Sequence, residues 1–107
     1  MTREQALKIV AELKKRLVPI YGDRMKQVIA YGSQIRGDAT EESDLDVAVV
    51  LDPCSDEWTE WQLISDTIVE LDLQFDVLLD VFAVSNTDWE NGTFALHRSM
   101  KREGIAI

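Results

Sequence analysis

Histidine, cysteine and long apolar runs are scarce or missing in this 107-residue sequence, and each scarcity excludes a class of protein. No apolar run approaches the roughly 20 residues that a membrane-spanning helix needs, and no signal-peptide segment follows Met1. Cys54 is the only cysteine, so an internal disulfide is excluded. His97 is the only histidine, so a pair of histidine ligands is excluded, and we assign His97 no role. We expect one soluble, cytoplasmic domain that covers residues 1–107 and does not bind membranes.

Basic residues are missing from the middle of the chain. Residues 38–90 carry 16 of the 20 acidic residues and none of the 11 basic ones, and the net charge is −9. Proteins bind a nucleic-acid backbone through Lys and Arg, so direct nucleic-acid binding is not expected. A solvated helix face explains most of the acidic residues between 52 and 72, but not carboxylates inside apolar strands.

Apolar spacing predicts the first helix and three strands. Thr2 and Gln5 form a capping-box pattern, and the helix is predicted over about residues 3–17, ending before Pro19. Short apolar runs predict the strands at residues 28–31, 45–51 and 75–84. About 13 residues join the first two strands, which leaves their relative direction open.

A second long helix is predicted over about residues 56–72, with Trp58 and Trp61 as core anchors or as contacts for a partner. Its acidic residues, Glu60 among them, are predicted on the other face. Ser85 and Thr93 are predicted to cap two later helices, and residues 105–107 to form an edge strand. This order predicts an α/β fold, a small mixed sheet flanked by helices.

The turn after the first strand begins with Gly32 and Ser33. Glycine lets the backbone approach a phosphate closely, and the serine hydroxyl and the amides of a short helical turn suit an anionic oxygen. A Gly-Ser pair alone is more often a plain turn, so the interpretation depends on the acidic residues that come later in the chain.

Asp44 and Asp46 lie two residues apart at the start of the second strand, so both side chains are predicted on one face of the sheet. Two unpaired carboxylates this close repel each other, and a hard cation such as Mg²⁺ relieves the repulsion. The alternative is that Asp44 caps the strand entrance while Asp46 faces solvent.

The third strand is predicted to supply another carboxylate, from Asp76 or Asp80, which share a face by the same alternation. Such a group would take the proton of an acceptor hydroxyl or complete a metal shell. The alternative is that one of the two is an exposed strand residue, for which Asp80 is the better candidate.

Gly32-Ser33, ten intervening residues and Asp44-x-Asp46 resemble the signature of the DNA polymerase β-like nucleotidyltransferase superfamily. The surrounding sequence at 32–39 and 43–50 is similar to the minimal nucleotidyltransferase (MNT) branch, and the similarity extends over nearly the whole chain. The resemblance implies the polymerase β-like nucleotidyltransferase fold. It also implies that Gly32, Ser33 and Arg36 bind the triphosphate of ATP and that Asp44, Asp46 and Asp76 are the catalytic, Mg²⁺-binding acids. For Arg36, a structural ion pair with the acidic middle is the alternative.

The resemblance further implies an antitoxin of a type VII HEPN/MNT toxin–antitoxin pair. Such an enzyme transfers AMP from ATP to a tyrosine of a HEPN-domain ribonuclease toxin, and a hetero-oligomer with the toxin is expected. The alternative is a binding-only antitoxin that masks the toxin without catalysis. Transfer to a small molecule is the weaker option, since the chain has little room for an acceptor-binding domain.

Overall fold

The computed structural model describes residues 1–37 and 45–107. Its strands are β1 (Met25–Tyr31), β2 (Leu45–Leu51), β3 (Leu79–Ser85) and β4 (Ile105–Ala106), and the sheet has the order β3-β2-β1-β4. β2 runs antiparallel to β1 and parallel to β3, and β4 runs antiparallel to β1. The sequence left the relative direction of β1 and β2 open, and the structure shows that the two strands are antiparallel.

The first helix, α1 (Arg3–Tyr21), begins at the predicted capping box. The backbone N–H of Gln5 donates to Thr2 Oγ1 (3.1 Å), and the Thr2 N–H donates to Gln5 Oε1 (2.8 Å). The predicted end before Pro19 is wrong, because the helix continues to Tyr21. Proline removes one helical hydrogen bond, but Tyr21 is buried in the core and holds the last turn in place.

The second long helix, α3 (Glu57–Phe75), is capped by Asp56, whose carboxylate accepts from the Thr59 N–H (2.9 Å). It follows α2 (Ser33–Arg36) in the chain and connects the parallel strands β2 and β3. The predicted inward face is partly wrong: Trp58 is 63% exposed, whereas Glu60 is 1% exposed. The residues of α3 that do pack inward are Glu60, Ile64, Ile68 and Leu71.

The predicted start of the third strand at residue 75 is also wrong. α3 continues to Phe75, and Asp76 ends it in a left-handed conformation (φ 51°). β3 begins only at Leu79, whose N–H donates to the Asp72 carboxylate (3.0 Å). The apolar residues between helix and strand belong to the connection rather than to the strand.

Two short helices come after β3. The Ser85 side chain accepts from the Asp88 N–H (3.2 Å) and caps α4 (Asn86–Asn91), as predicted. α5 (Ala95–Glu103) has Phe94 at its N-cap and no side-chain cap, so the predicted role of Thr93 is wrong. Thr93 instead donates its hydroxyl proton to the Asp88 carboxylate (3.3 Å).

The sheet separates two apolar clusters. One face packs against α1 and α3 through the main core, which includes Leu13, Leu17, Val47 and Leu71. The other face packs Ile29, Ala48, Val50 and Val84 against Trp89 of α4 and Met100 of α5. None of the helices within the described residues combines the length and hydrophobicity that crossing a membrane requires.

A partly buried ion pair connects Arg24, which directly precedes β1, to Glu60 of α3. The Arg24 guanidinium donates to both carboxylate oxygens of Glu60, at 2.8 and 3.0 Å, and the Ser55 N–H donates to the same group at 2.8 Å. These hydrogen bonds, with Arg24 making the largest contribution, lower the pKa of Glu60. Arg24 also lies over the Tyr21 ring at 5.1 Å, and burial raises the pKa of Tyr21 to about 12.

We expect Glu60→Gln to lower the free energy of unfolding by about 2 kcal/mol, because it leaves the partly buried Arg24 without its counter-charge. Urea unfolding at pH 7 measures this. Asp66→Asn, an exposed charge removal on the same helix, is the control and should change it by less than about 0.5 kcal/mol.

The lowered pKa of Glu60 determines how the stability that the ion pair contributes changes with pH. Its stabilisation is fully present above the ordinary value of 4.5 and is lost as the pH falls through the lower, folded value. The difference in the free energy of unfolding between wild type and Glu60→Gln should therefore decrease below pH 4.5. A constant difference down to the acid transition would contradict the ion-pair explanation.

Candidate functional site

Two carboxylates lie side by side where β2 and β3 begin. In the parallel register Asp46 is the partner of Asp80, and on its other side Asp46 is the partner of Tyr31 at the end of β1. Residues paired across a sheet share a face, and neighbouring strands lie about 4.8 Å apart. We call Asp46 and Asp80 the acid pair. It lies on the face opposite the main core, since the alternating neighbours Leu45 and Val47 are buried there.

Asp76 does not join the acid pair. It is exposed at the C-terminus of α3, three residues before β3 begins. There it lines a different pocket with Met1, Gln5 and Lys8 of the N-terminal region. The strand position predicted for Asp76 is wrong because its left-handed backbone ends the helix instead of entering the sheet. Of the two acids that the sequence left open, the structure brings Asp80, and not Asp76, beside Asp46.

The turn after β1 places Gly32 and Ser33 next to the acid pair. Tyr31 pairs with Asp46, and the chain leaves the strand directly after it. Gly32 is buried with φ 104° and ψ −175°, a conformation that residues with a Cβ rarely adopt. Its carbonyl accepts from the backbone N–H groups of Ile35 and Arg36, both at 3.0 Å, which begins α2 at Ser33.

Arg36 points toward the same end of the sheet. Its guanidinium carbon lies 5.7 Å from the centre of the Tyr31 ring, and its Nη1 lies 3.8 Å from the Glu103 carboxylate of α5. The ion pair with Glu103 is loose and partly exposed, so it contributes little to stability. The cationic group therefore lies beside the residue that pairs with Asp46.

An open cleft of about 620 Å³ begins at Asp80 and runs along strand β3. Its size is in the range of small-molecule sites. The described residues that line it include acids and aromatic rings but neither Lys nor Arg. Such a lining disfavours a phosphate and favours a neutral or cationic group. The acids and rings of the lining include Asp80, Phe82, Asp88, Phe94 and His97.

One wall of this cleft comes from α5, through His97 and the N-cap residue Phe94. The two rings meet edge to face with centres 5.1 Å apart, and the Trp89 ring lies 5.9 Å from His97 on its other side. His97 is 8% exposed, and burial lowers its pKa, although Asp88 acts in the opposite direction. Its Nδ1 is buried without a hydrogen-bond partner among the described residues. Sequence reasoning missed this wall, because a lone histidine and one phenylalanine carry no recognisable spacing.

The acid pair offers hard oxygen ligands, the donor set that Mg²⁺ prefers. Within residues 1–37 and 45–107 no group of three or more metal-binding side chains lies together. Asp44, the other predicted ligand, lies outside the described residues. The two described carboxylates therefore fit a divalent cation as part of a ligand set.

Comparison with known proteins gives a family for this arrangement. The family model described as nucleotidyltransferase domain matches residues 5–98, which include Gly32, Ser33, Asp46 and Asp80. A crystal structure described as a "putative nucleotidyltransferase" from Sulfolobus solfataricus has the same fold, with a TM-score of 0.68 at 16% identity over 97% of this chain and 80% of that one. The crystal structure of the toxin–antitoxin MntA-HpeT aligns with a TM-score of 0.57 at 13% identity, over 99% of this chain and 72% of that one.

Two relatives are similar in sequence. A protein of Methanocaldococcus jannaschii named "putative protein adenylyltransferase" is 30% identical over 108 residues, covering 100% of this chain and 99% of its own. The aminoglycoside nucleotidyltransferase (4') of Staphylococcus aureus is 35% identical over 98 residues, or 83% of this chain. The chain spans only 36% of that enzyme's length. The match to the domain model over most of the sequence and the full-length relative show that the chain belongs to the nucleotidyltransferase domain family.

Proposed function

We propose that this protein is a Mg²⁺-dependent adenylyltransferase that transfers AMP from ATP to a tyrosine hydroxyl of a HEPN-domain ribonuclease toxin, for which it is the antitoxin. The observation that carries the proposal is the pairing of Asp46 with Asp80 beside the Gly32-Ser33 turn. The name of the full-length relative supports a protein acceptor. The fold shared with a chain of the toxin–antitoxin MntA-HpeT structure supports a toxin as the partner. Since ATP is the donor, we place the reaction in the cytoplasm.

In this proposal the triphosphate binds at the turn after β1. Gly32 brings backbone amides close to the phosphates, Ser33 offers its hydroxyl, and Arg36 adds positive charge from α2. Asp46, Asp80 and Asp44 would hold Mg²⁺, which would neutralise the charge of the triphosphate and of the leaving pyrophosphate. The carboxylates need the cation because they otherwise repel the phosphates that they face.

Asp80 has a second role in the proposal. Asp80 lies beside Asp46 and also lines the cleft. The hydroxyl of an acceptor bound in the cleft can therefore reach the Asp80 carboxylate next to the proposed nucleotide site. As general base, Asp80 accepts the proton of that hydroxyl while the oxygen attacks the α-phosphorus and the bond to pyrophosphate breaks. We therefore propose Asp80 in the role that the family resemblance implied for Asp76.

The proposed occupant of the cleft is the phenol of the acceptor. Phe82 and Phe94 provide apolar contacts for a ring, and Asp88 favours a positively charged segment around it. Asp80 lies where the hydroxyl of that ring has to react.

A second candidate acceptor is a small polycationic molecule. The acidic lining of the cleft suits one, and the Staphylococcus aureus relative is named for an aminoglycoside. Incubating the protein with Mg-ATP and either the toxin or an aminoglycoside, then weighing each acceptor by mass spectrometry, distinguishes the two. An added AMP on the aminoglycoside, with none on the toxin, would replace the first proposal.

We expect Asp46→Asn and Asp80→Asn to slow AMP transfer by about 10²-fold or more, since each removes a carboxylate that binds metal or accepts the proton. Asp76→Asn is the matched control. Asparagine tolerates the left-handed conformation at that position, so this variant should stay within about twofold of wild type. The measurement is the initial rate of AMP addition to the toxin by intact mass spectrometry.

The same variants distinguish catalysis from masking. If Asp46→Asn forms the complex but no longer neutralises the toxin, catalysis is required. Full neutralisation by Asp46→Asn without added AMP would show that the protein acts as a binding-only antitoxin. If Asp76→Asn loses most of its rate of AMP transfer while Asp80→Asn keeps the wild-type rate, Asp76 is the third acid.

We expect Phe94→Ala to raise the KM for the acceptor by about tenfold and to leave the KM for ATP unchanged, because it removes the ring that the acceptor contacts. Leu78→Ala is the control, since Leu78 is equally apolar and 59% exposed but does not line the cleft. Steady-state kinetics with each substrate varied in turn give both constants. A rise confined to the KM for ATP would assign the cleft to the nucleoside instead.

A further inference from the structure

The outward side of α3 carries large apolar residues that the core does not use. Trp58, Trp61, Val69 and Leu73 are 63%, 42%, 54% and 80% exposed. At about 100° per residue these four positions fall within an arc of about 120° on one side of the helix, and that arc also contains Gln62, Ser65 and Asp72. Ile64 and Leu71 turn inward and anchor the helix to the sheet. We call the four exposed residues the α3 outer face.

The two tryptophans of this face are arranged side by side in water. Their ring centres are 5.6 Å apart and the rings are nearly parallel, at 18°. Stacking covers part of each ring but leaves a broad apolar surface exposed to solvent. Exposed tryptophans are frequent among the residues that dominate binding at protein interfaces.

The charge around the face selects the partner. α3 contains no Lys or Arg, and of its five acidic residues Asp66 and Glu70 border this arc. Glu70 also lies 3.8 Å from the Arg16 guanidinium of α1, and Glu60 and Asp72 are engaged in the contacts described above. A second copy of this chain docked face to face would bring these acids against one another, which opposes self-association. A partner with an apolar stripe bordered by Lys or Arg places opposite charges together.

The length of the face matches a helix. Trp58 and Leu73 lie 15 residues apart, about 22 Å along the helix axis, and a partner helix packs against such a stripe through its own residues at i, i+3, i+4 and i+7. None of the four residues lines the cleft or belongs to the acid pair. They lie on the side of the sheet opposite the acid pair, so a helix bound here leaves the acid pair open.

We propose that the α3 outer face binds a basic amphipathic helix of a partner protein. Apolar contacts with Trp58, Trp61, Val69 and Leu73 supply the affinity, and acids such as Asp66 and Glu70 orient the helix. This interaction goes beyond the proposed transfer of AMP and does not depend on it, since it needs neither nucleotide nor metal.

The test uses a synthetic helical peptide of about 18 residues with leucines at i, i+3, i+4 and i+7 and lysines or arginines elsewhere. A twin peptide has the same leucines with glutamates in place of the basic residues. Binding should shift the tryptophan emission to shorter wavelength. The signal comes from Trp58 and Trp61, because Trp89 is already buried. The basic peptide should bind less tightly as salt is raised, and the acidic twin should not bind.

Variants locate the binding. Trp58→Ser and Leu73→Ser should each raise the Kd of the basic peptide by about tenfold, whereas Leu63→Ser and Leu78→Ser should not. Leu63 is 50% exposed on another side of α3, and Leu78 is 59% exposed outside it, so both control for the loss of an exposed leucine. Circular dichroism verifies that each variant is folded.

Three results would overturn the proposal. They are the absence of binding by the basic peptide, equal binding by the acidic twin, or an equal loss in the control variants. Sedimentation showing a dimer of the chain alone that Trp58→Ser abolishes would assign the face to a second copy instead. Asp46→Asn should bind the peptide like wild type, so a failure of the catalytic proposal and a failure of this one are told apart.

Discussion

The acid pair of the candidate site depends on the register in which β2 and β3 pair. Asp46 faces Asp80 only because Leu45 pairs with Leu79 and Val47 with Val81. A slip of one residue would turn Asp80 into the core and leave a leucine on the opposite face. The buried residues on the α1 and α3 side of the sheet therefore fix the position of the charges on the other side. Hydrophobic burial on the α1 and α3 side of the sheet thus keeps the like charges of Asp46 and Asp80 adjacent on the opposite side.

The sequence predicted the parts of this arrangement that depend on a local pattern. β2 has the predicted bounds, because residues 47–51 form a continuous apolar run with a proline soon after it. Simple alternation decides the side of the sheet to which Asp46 points. The capping box at Thr2 and the N-cap at Ser85 are confirmed, because they too depend on a few neighbouring residues.

The errors occur where a distant residue decides the structure. The inward turn of Glu60 depends on Arg24, 36 residues away, so the helical pattern alone assigned Trp58 to the wrong side. The apolar residues that flank Asp76 look like a strand, and only the left-handed backbone there separates α3 from β3. The cleft wall formed by Phe94 and His97 results from the packing of α5, which no local signal predicts.

The two sides of the sheet are proposed to have different functions. The side that carries the acid pair holds the turn after β1 and the cleft along β3, and the chemistry of transfer is proposed there. The helical side contributes an outer face with no role in the core. A partner that engages both has to reach around the edge strand β3, which borders the cleft. Binding strength and reaction rate can then change independently, because they depend on different residues.

The position of His97 has a practical consequence. Because the chain contains one histidine, its imidazole protons give a pair of NMR signals that need no assignment. The ring forms part of the cleft wall and touches the Phe94 and Trp89 rings, whose magnetic anisotropy makes its chemical shift sensitive to small movements. Burial lowers the pKa of the imidazole and so favours its neutral form, and a changed shift at constant pH would report what enters the cleft. The residue to which the sequence assigned no role is thus a built-in spectroscopic probe of the cleft.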